Sequence, residues 1–207
     1  MLDREKRHQY LSEAFHGLAQ PITALHCGLE VALAKPRTAS DYEKRIGDAL
    51  EITGVFRELT SALRELVDAD DAGRDSEEID LADLFVAIRA AVSDIADLHA
   101  VAVEFEPAAK AKIRAHRERL VRAVVLLAEQ VLVPAGRVHF GNRKLKEGVE
   151  ITIRGQRQTE IEMQRVHAVT QIRLSAADTY IHALAGRLTI LEEGYRIELP
   201  IAEAPRD

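Results

Sequence analysis

The sequence predicts an α+β protein: an N-terminal antiparallel helical hairpin that pairs with a second copy into a four-helix bundle, followed by a C-terminal α/β sandwich. Three observations predict it. Apolar residues recur at spacings of three and four through the first third of the chain. A polar, acidic stretch, DADDAGRDS at 68–76, then interrupts the pattern. Beyond it, short alternating runs and helical runs follow in the order α-β-α-β-β-α-β-β, which folds as a sheet with helices on one face. The division expected is 1–67 for the hairpin, 68–76 for the linker and 77–207 for the sandwich.

The first helix spans roughly 3–34. Phe15, Leu18, Ile22, Leu25 and Leu29 form a narrow stripe suited to a bundle seam. KPRTAS at 35–40 breaks it. Ser40 followed by Glu43 reads as a capping box that starts a second helix. That helix carries Ile46, Leu50, Thr53, Phe56, Leu63 and Val67 along one side. A lone hairpin cannot bury both stripes, whereas two hairpins from two chains can, so burial alone predicts a homodimer. After the linker, 81–97 reads as a helix with Asp80 as its N-cap. AVAVEFE at 100–106 alternates as a strand, and 115–133 is a strongly apolar helix. RVHFGN and GVEITIRG form one hairpin. Residues 171–185 form a helix stopped by Gly186, and a second hairpin turns near Glu193 and Gly194.

Composition removes several classes of function. The net charge is -6 and the pI about 5.8, which argues against nucleic acid as the main partner. Hydrophobic residues make up 47% and aromatics 4%, with no Trp, so the core is aliphatic. The single cysteine, Cys27, cannot close an internal disulfide and fits a reducing compartment. No apolar run reaches the roughly 18 residues of a membrane span, and the charged start MLDREKRHQY lacks the apolar core of a signal peptide. A cytoplasmic protein is expected, with no membrane partner.

Within the first helix, AFHGLAQPITAL places a proline inside a helical pattern. Pro21 has no N–H, and its ring presses on the carbonyl of Gly17, next to His16. His16 lies just off the apolar seam, where an imidazole beside a backbone distortion is a candidate nucleophile. FHGLAQPITAL resembles the phosphoacceptor box of bacterial sensor histidine kinases, His-Glu/Asp-Leu-x-Thr/Asn-Pro-Leu, with His16, Leu18, Pro21 and Ile22 on matching positions. The hairpin has the length of that family's dimerisation and phosphotransfer domain. The remainder resembles its Bergerat-type ATP-binding domain: RLVRAVVLLAEQVL aligns with the N-box helix, and SAADTYIHALAGRLTILEEGYRIELPI with the closing helix and hairpin, including Gly186-Arg187-Leu188.

The departures from the family decide the function expected. Where its asparagines hold magnesium and phosphates stand Leu126 and Gln130. Where an aspartate reads adenine, IRGQRQ presents Arg154. Where a glycine-rich box approaches phosphate, AVTQIRLS has no glycine. Only 15 residues separate Gly155 from Gln171, which leaves little room for an ATP lid. Gly17 replaces the carboxylate that serves as base in autophosphorylation. The resemblance therefore implies a histidine phosphotransferase of degenerate kinase architecture. It would shuttle phosphate on His16 between receiver domains of response regulators or hybrid histidine kinases, with no cofactor of its own, no ATP binding and Mg²⁺ on the receiver.

Gln20, one turn after His16, matches the family's water-orienting position and is also readable as a polar rim residue. Ala19, Gln20 and Thr23 extend from His16 along the off-seam face as a receiver-docking surface, level with about 41–59 of the second helix. His26 and Cys27 lack metal-ligand company, so no metal site is expected. Arg114, Arg117, Arg119 and Arg122 read as a solvated helix face, and GNRKLKEG as a hairpin turn. Two further readings stand beside the first: a non-catalytic dimeric regulator that binds a kinase or receiver, and a kinase with altered nucleotide contacts.

Overall fold

Two long helices come first, α1 (Arg4–Leu33) and α2 (Ala39–Asp70), joined by 34–38 and packed on each other. The structure, a computed structural model, describes residues 4–70, 76–132, 135–157 and 167–201. The side chains of 4–16, 70, 135, 156–157 and 167–168, and residues 71–75 of the expected 68–76 linker, lie outside that description. α1 runs unbroken through Pro21. The cap of α2 sits two residues before the expected Ser40–Glu43 box. The Asp41 amide donates to Thr38 Oγ1 at 3.2 Å, and the Thr38 hydroxyl donates to Asp41 Oδ2 at 2.8 Å. The same spacing of hydroxyl and carboxylate occurs there, and the chain leaves Pro36 only at this point. That hydroxyl holds the Asp41 carboxyl below the ordinary carboxylate range. The cap is therefore complete at neutral pH and weakens in acid as Asp41 protonates. Arg37 closes the other helix end, its guanidinium donating to the Val31 carbonyl at 2.8 Å.

The remainder is a five-stranded mixed sheet under three helices. Its strands, in spatial order, are β2 (Ala102–Phe105), β4 (Ala135–Lys144), β5 (Gly148–Arg157), β7 (Gly194–Pro200) and β6 (Arg187–Leu191). β2 runs parallel to β4, and the other neighbours are antiparallel. Helices α3 (Leu81–Leu98), α4 (Arg117–Leu132) and α5 (His167–Ala183) cover one face. On that face Val138, Phe140, Val149, Ile151, Ile153 and Ile197 are fully buried, as are Leu84, Ile88, Leu120, Leu127 and Ile181 from the helices. Each such side chain contributes roughly 1.5–3 kcal/mol. The opposite face carries charge, with Arg143 bonded to Glu150 at 2.8 Å. A two-stranded ladder, β1 (Glu77–Asp80) with β3 (Lys112–Ala115), sets Ile79 opposite Ile113. Four residues per strand, five of the eight charged, are too short for a sequence period to register.

Asp80 caps α3, accepting from the Ala82 amide at 3.0 Å, as expected. The stop of α5 differs from expectation. Ala185, not Gly186, takes the left-handed turn, with φ 55°, and the Gly186 amide reaches back to the Ile181 carbonyl at 3.0 Å. Gly186 is required for space instead: a Cβ there would lie 2.8 Å from Leu199 Cδ2 and 2.9 Å from the Glu198 carbonyl. α3 ends the same way at Ala100, with φ 53° and the Val101 amide bonded to the Ala96 carbonyl at 2.9 Å. At the β6–β7 turn Gly194 has φ +150°, and a Cβ would stand 1.9 Å from the Ile153 carbonyl oxygen.

An alanine in the left-handed region is strained by about 1–2 kcal/mol, part of which glycine's looser unfolded state offsets. Ala100→Gly is therefore expected to stabilise the protein by about 0.5–1 kcal/mol. A urea midpoint raised at constant slope would show it, and a lowered midpoint would refute it.

Candidate functional site

The turn of α1 that begins at His16 is continuous helix, but it lacks one hydrogen bond of the ladder. Pro21 removes the amide that would bond the Gly17 carbonyl. Two residues on, the Thr23 hydroxyl donates to the Ala19 carbonyl at 2.8 Å, a back-bond that also loosens the helical ladder. The backbone of His16 is helical, and its side chain lies outside the described residues, as does that of Phe15. Ala19, Gln20 and Thr23 are exposed. The expected seam divides in two. Leu18 and Leu25 are half-buried, whereas Ile22 is 50% and Leu29 47% exposed. On α2, Leu63 packs against the core, while Ile46, Leu50, Phe56 and Val67 are exposed.

α5 lies along α2 and also touches α1. The buried residues of α2, Leu59, Ala62, Leu66 and Ala69, belong to one continuous core with α4, α5 and the sheet. The small side chains Ala62 and Ala69, with Ala176 and Ala177 on α5, let these helices approach closely. Arg122 of α4 grips Glu65 of α2 with both arms of its guanidinium, Nε donating to Oε2 at 2.9 Å. The carboxylate holds Arg122 above its ordinary range. Arg173 of α5 donates to Glu129 of α4 at 2.8 Å. Burial pushes the Tyr180 phenol up, and the carboxylates of Glu65 and Asp68 add to it, so it stays neutral at physiological pH. The expectation that Arg122 belongs to a solvated face is thus corrected. Its partner lies 57 residues away in sequence, where no local pattern can reveal it. Arg117 is exposed, as expected of a solvated face, and donates to the Asp83 carbonyl at 3.2 Å.

The stretches aligned with a nucleotide site do not fit a magnesium nucleotide. Leu126 is 1% exposed and offers no ligand. The Gln130 amide turns back onto the Leu126 carbonyl at 3.5 Å. α4 and α5 pack directly on each other, with Val124, Leu127, Ala128, Ala176 and Ala177 at 0% exposure. Arg154 is exposed at the end of β5. Residues 158–166, in the short stretch between Gly155 and Gln171, lie outside the described residues. Among the described residues no helix is long and apolar enough to cross a membrane.

No protein-family model and no curated protein matches the chain. Solved structures do. A histidine kinase AdeS of Acinetobacter baumannii aligns over 91% of this chain and 98% of its own, with a TM-score of 0.63 and 17% identity. Histidine kinase ThkA, solved in complex with response regulator protein TrrA, aligns over 97% of this chain and 64% of its own, at 0.70 and 15%. Full-length ShkA in complex with AMPPNP aligns over 95% and 46%, at 0.56 and 13%. The chain therefore has a histidine-kinase-like architecture; at these identities the likeness is one of fold.

Because Leu126 is core, restoring the family's asparagine there is costly. Leu126→Asn is expected to destabilise by about 3 kcal/mol or more, through lost apolar burial and an unsatisfied amide. Chemical denaturation measures this, and a loss under about 1 kcal/mol would mean that the site has room for a polar group.

Proposed function

We propose that this chain is a histidine phosphotransferase of a two-component phosphorelay. His16 accepts a phosphoryl group from the aspartyl phosphate of one receiver domain and returns it to another, without an ATP-dependent autokinase step. In the first step the acyl-phosphate P–O bond breaks, a P–N bond to the imidazole forms, and the aspartate leaves as a carboxylate; in the second the P–N bond breaks, a carboxylate oxygen of the other receiver's aspartate forms the new P–O bond, and the imidazole is released. Phosphoryl transfer of this kind needs alignment more than covalent help, so a histidine on a helix face, without a neighbouring base, is sufficient. Magnesium is expected on the receiver, not on this chain. The observation that carries the reading is the character of the stretches aligned with a nucleotide site: Leu126 sits in the core, and α4 and α5 pack on each other.

The reading has two corollaries. The chain works as a homodimer, since Ile22, Leu29, Ile46 and Leu50 stand exposed on a helix pair with no covering partner among the described residues. Gly47 and Gly54 of α2 support this: each has open space around it, so no contact within one chain repays the helix stability that a glycine costs. The receiver docks on Ala19, Gln20 and Thr23, whose small or polar side chains allow close approach. The complex named for ThkA, a kinase with a response regulator, supports this class of partner.

Mixing the protein with phosphorylated receivers tests the reading. Label is expected to pass to wild type and to be lost in His16→Ala, with the dimer intact. Receiver binding without labelling of wild type would favour the non-catalytic regulator, and micromolar Mg-ATP affinity by calorimetry would revive the kinase. Thr23→Arg is expected to block receiver binding sterically at unchanged circular dichroism; wild-type affinity there would move the docking site. For the dimer, Ile22→Asp is expected to give a monomer by light scattering, because a carboxylate in the seam is buried unpaired. A dimer mass in that variant would place the interface elsewhere.

A further inference from the structure

The geometry points to the α/β domain as a fixed brace on α2, with Arg122 and Glu65 as the residues that position the helix pair carrying His16. That last role rests on the phosphotransfer reading; the brace itself does not. Three independent contacts support it. The second half of α2 buries Leu59, Ala62, Leu66 and Ala69 at 7% exposure or less, in the same core that fills the α/β domain. Small residues on both helices bring α2 and α5 too close for water to separate them. Arg122 then fastens α4 to Glu65, whose side chain is 19% exposed, and Arg173 fastens α5 to Glu129.

The three helices form a closed triangle: α2–α5 by apolar contact, α5–α4 by apolar contact and Arg173–Glu129, α4–α2 by Arg122–Glu65. A domain tethered only through 71–75 would need none of these. Swinging it away would strip the apolar face of α2 and leave Glu65 and Arg122 without each other. A guanidinium fork on a carboxylate is directional, so it sets the rotation of α2 as well as its distance. α2 packs on α1, so the register of the helix that carries His16 follows from this pair.

Amide exchange on the whole 207-residue chain tests the brace. In wild type, 59–69 of α2 and the interior of α4 and α5 are expected to exchange together, as one cooperative unit. Arg122→Gln is expected to raise exchange roughly tenfold in α2 and α5, the effect of one lost charged hydrogen-bond pair, with α3 and the sheet unchanged. The charge exchange Glu65→Arg with Arg122→Glu is expected to recover most of the protection. Arg122→Lys, which keeps the charge and loses the fork, serves should the glutamine variant fail to fold, and is expected to be intermediate. Exchange of 59–69 that is faster than α4 in wild type, or unaltered in Arg122→Gln and Arg122→Lys, overturns the brace. Phosphotransfer from a labelled receiver then tests the positioning role. A rate that falls with the single variant and returns with the charge exchange supports it, and an unchanged rate despite raised exchange overturns it. Absence of transfer in wild type strikes the phosphotransfer reading and the positioning role together, and the exchange result alone then decides the brace.

Discussion

The second half of α2 has to serve two neighbours. One side of the helix lies against α1, and the side carrying Leu59, Ala62, Leu66 and Ala69 lies against α5 in the core of the α/β domain. Burying that side is worth more than any single polar contact in the molecule, and it constrains everything attached to it. α5 must run along α2, α4 must close behind α5, and the sheet must present its apolar face to both. The alanines in the seam are as much a part of this as the leucines, since only small side chains allow the helix axes to come near.

The same packing bears on the stretches that would hold a nucleotide. α4 and α5 pack on each other, and Leu127, Ala128, Ala176 and Ala177 are fully buried. Leu126 is not a vacant position awaiting a ligand; it is one of the fully buried side chains on which α4 depends.

α1 shows the opposite economy. Around His16 the chain accepts a proline without a donor and a threonine bonded back onto the helix, features that stabilise nothing locally. Such loosening is tolerated because neighbouring turns carry the packing. It leaves the backbone of this turn less tied to the regular ladder than the turns around it.

Much of this was readable from residue order. Each long element announced itself, because spacings of three and four or strict alternation reflect which side of a helix or strand meets apolar neighbours. Asp80 as a cap and the two hairpins followed from local chemistry that needs no distant partner. The candidate chemistry at His16 and the loss at Leu126 and Arg154 were legible as departures from a resemblance. What residue order could not show depended on contacts between segments far apart in the chain. The ladder pairing Ile79 with Ile113 is too short to carry a period. The stripe on α1 looked uniform, yet only folding separates Leu18 and Leu25, turned inward, from Ile22 and Leu29, left outside. Arg122 resembled its solvent-facing neighbours until α2 brought Glu65 to it. A helix reports its own amphipathic face in its sequence, but which neighbour covers that face, and how rigidly, is settled only by tertiary packing, because the pairing energy resides in both partners at once.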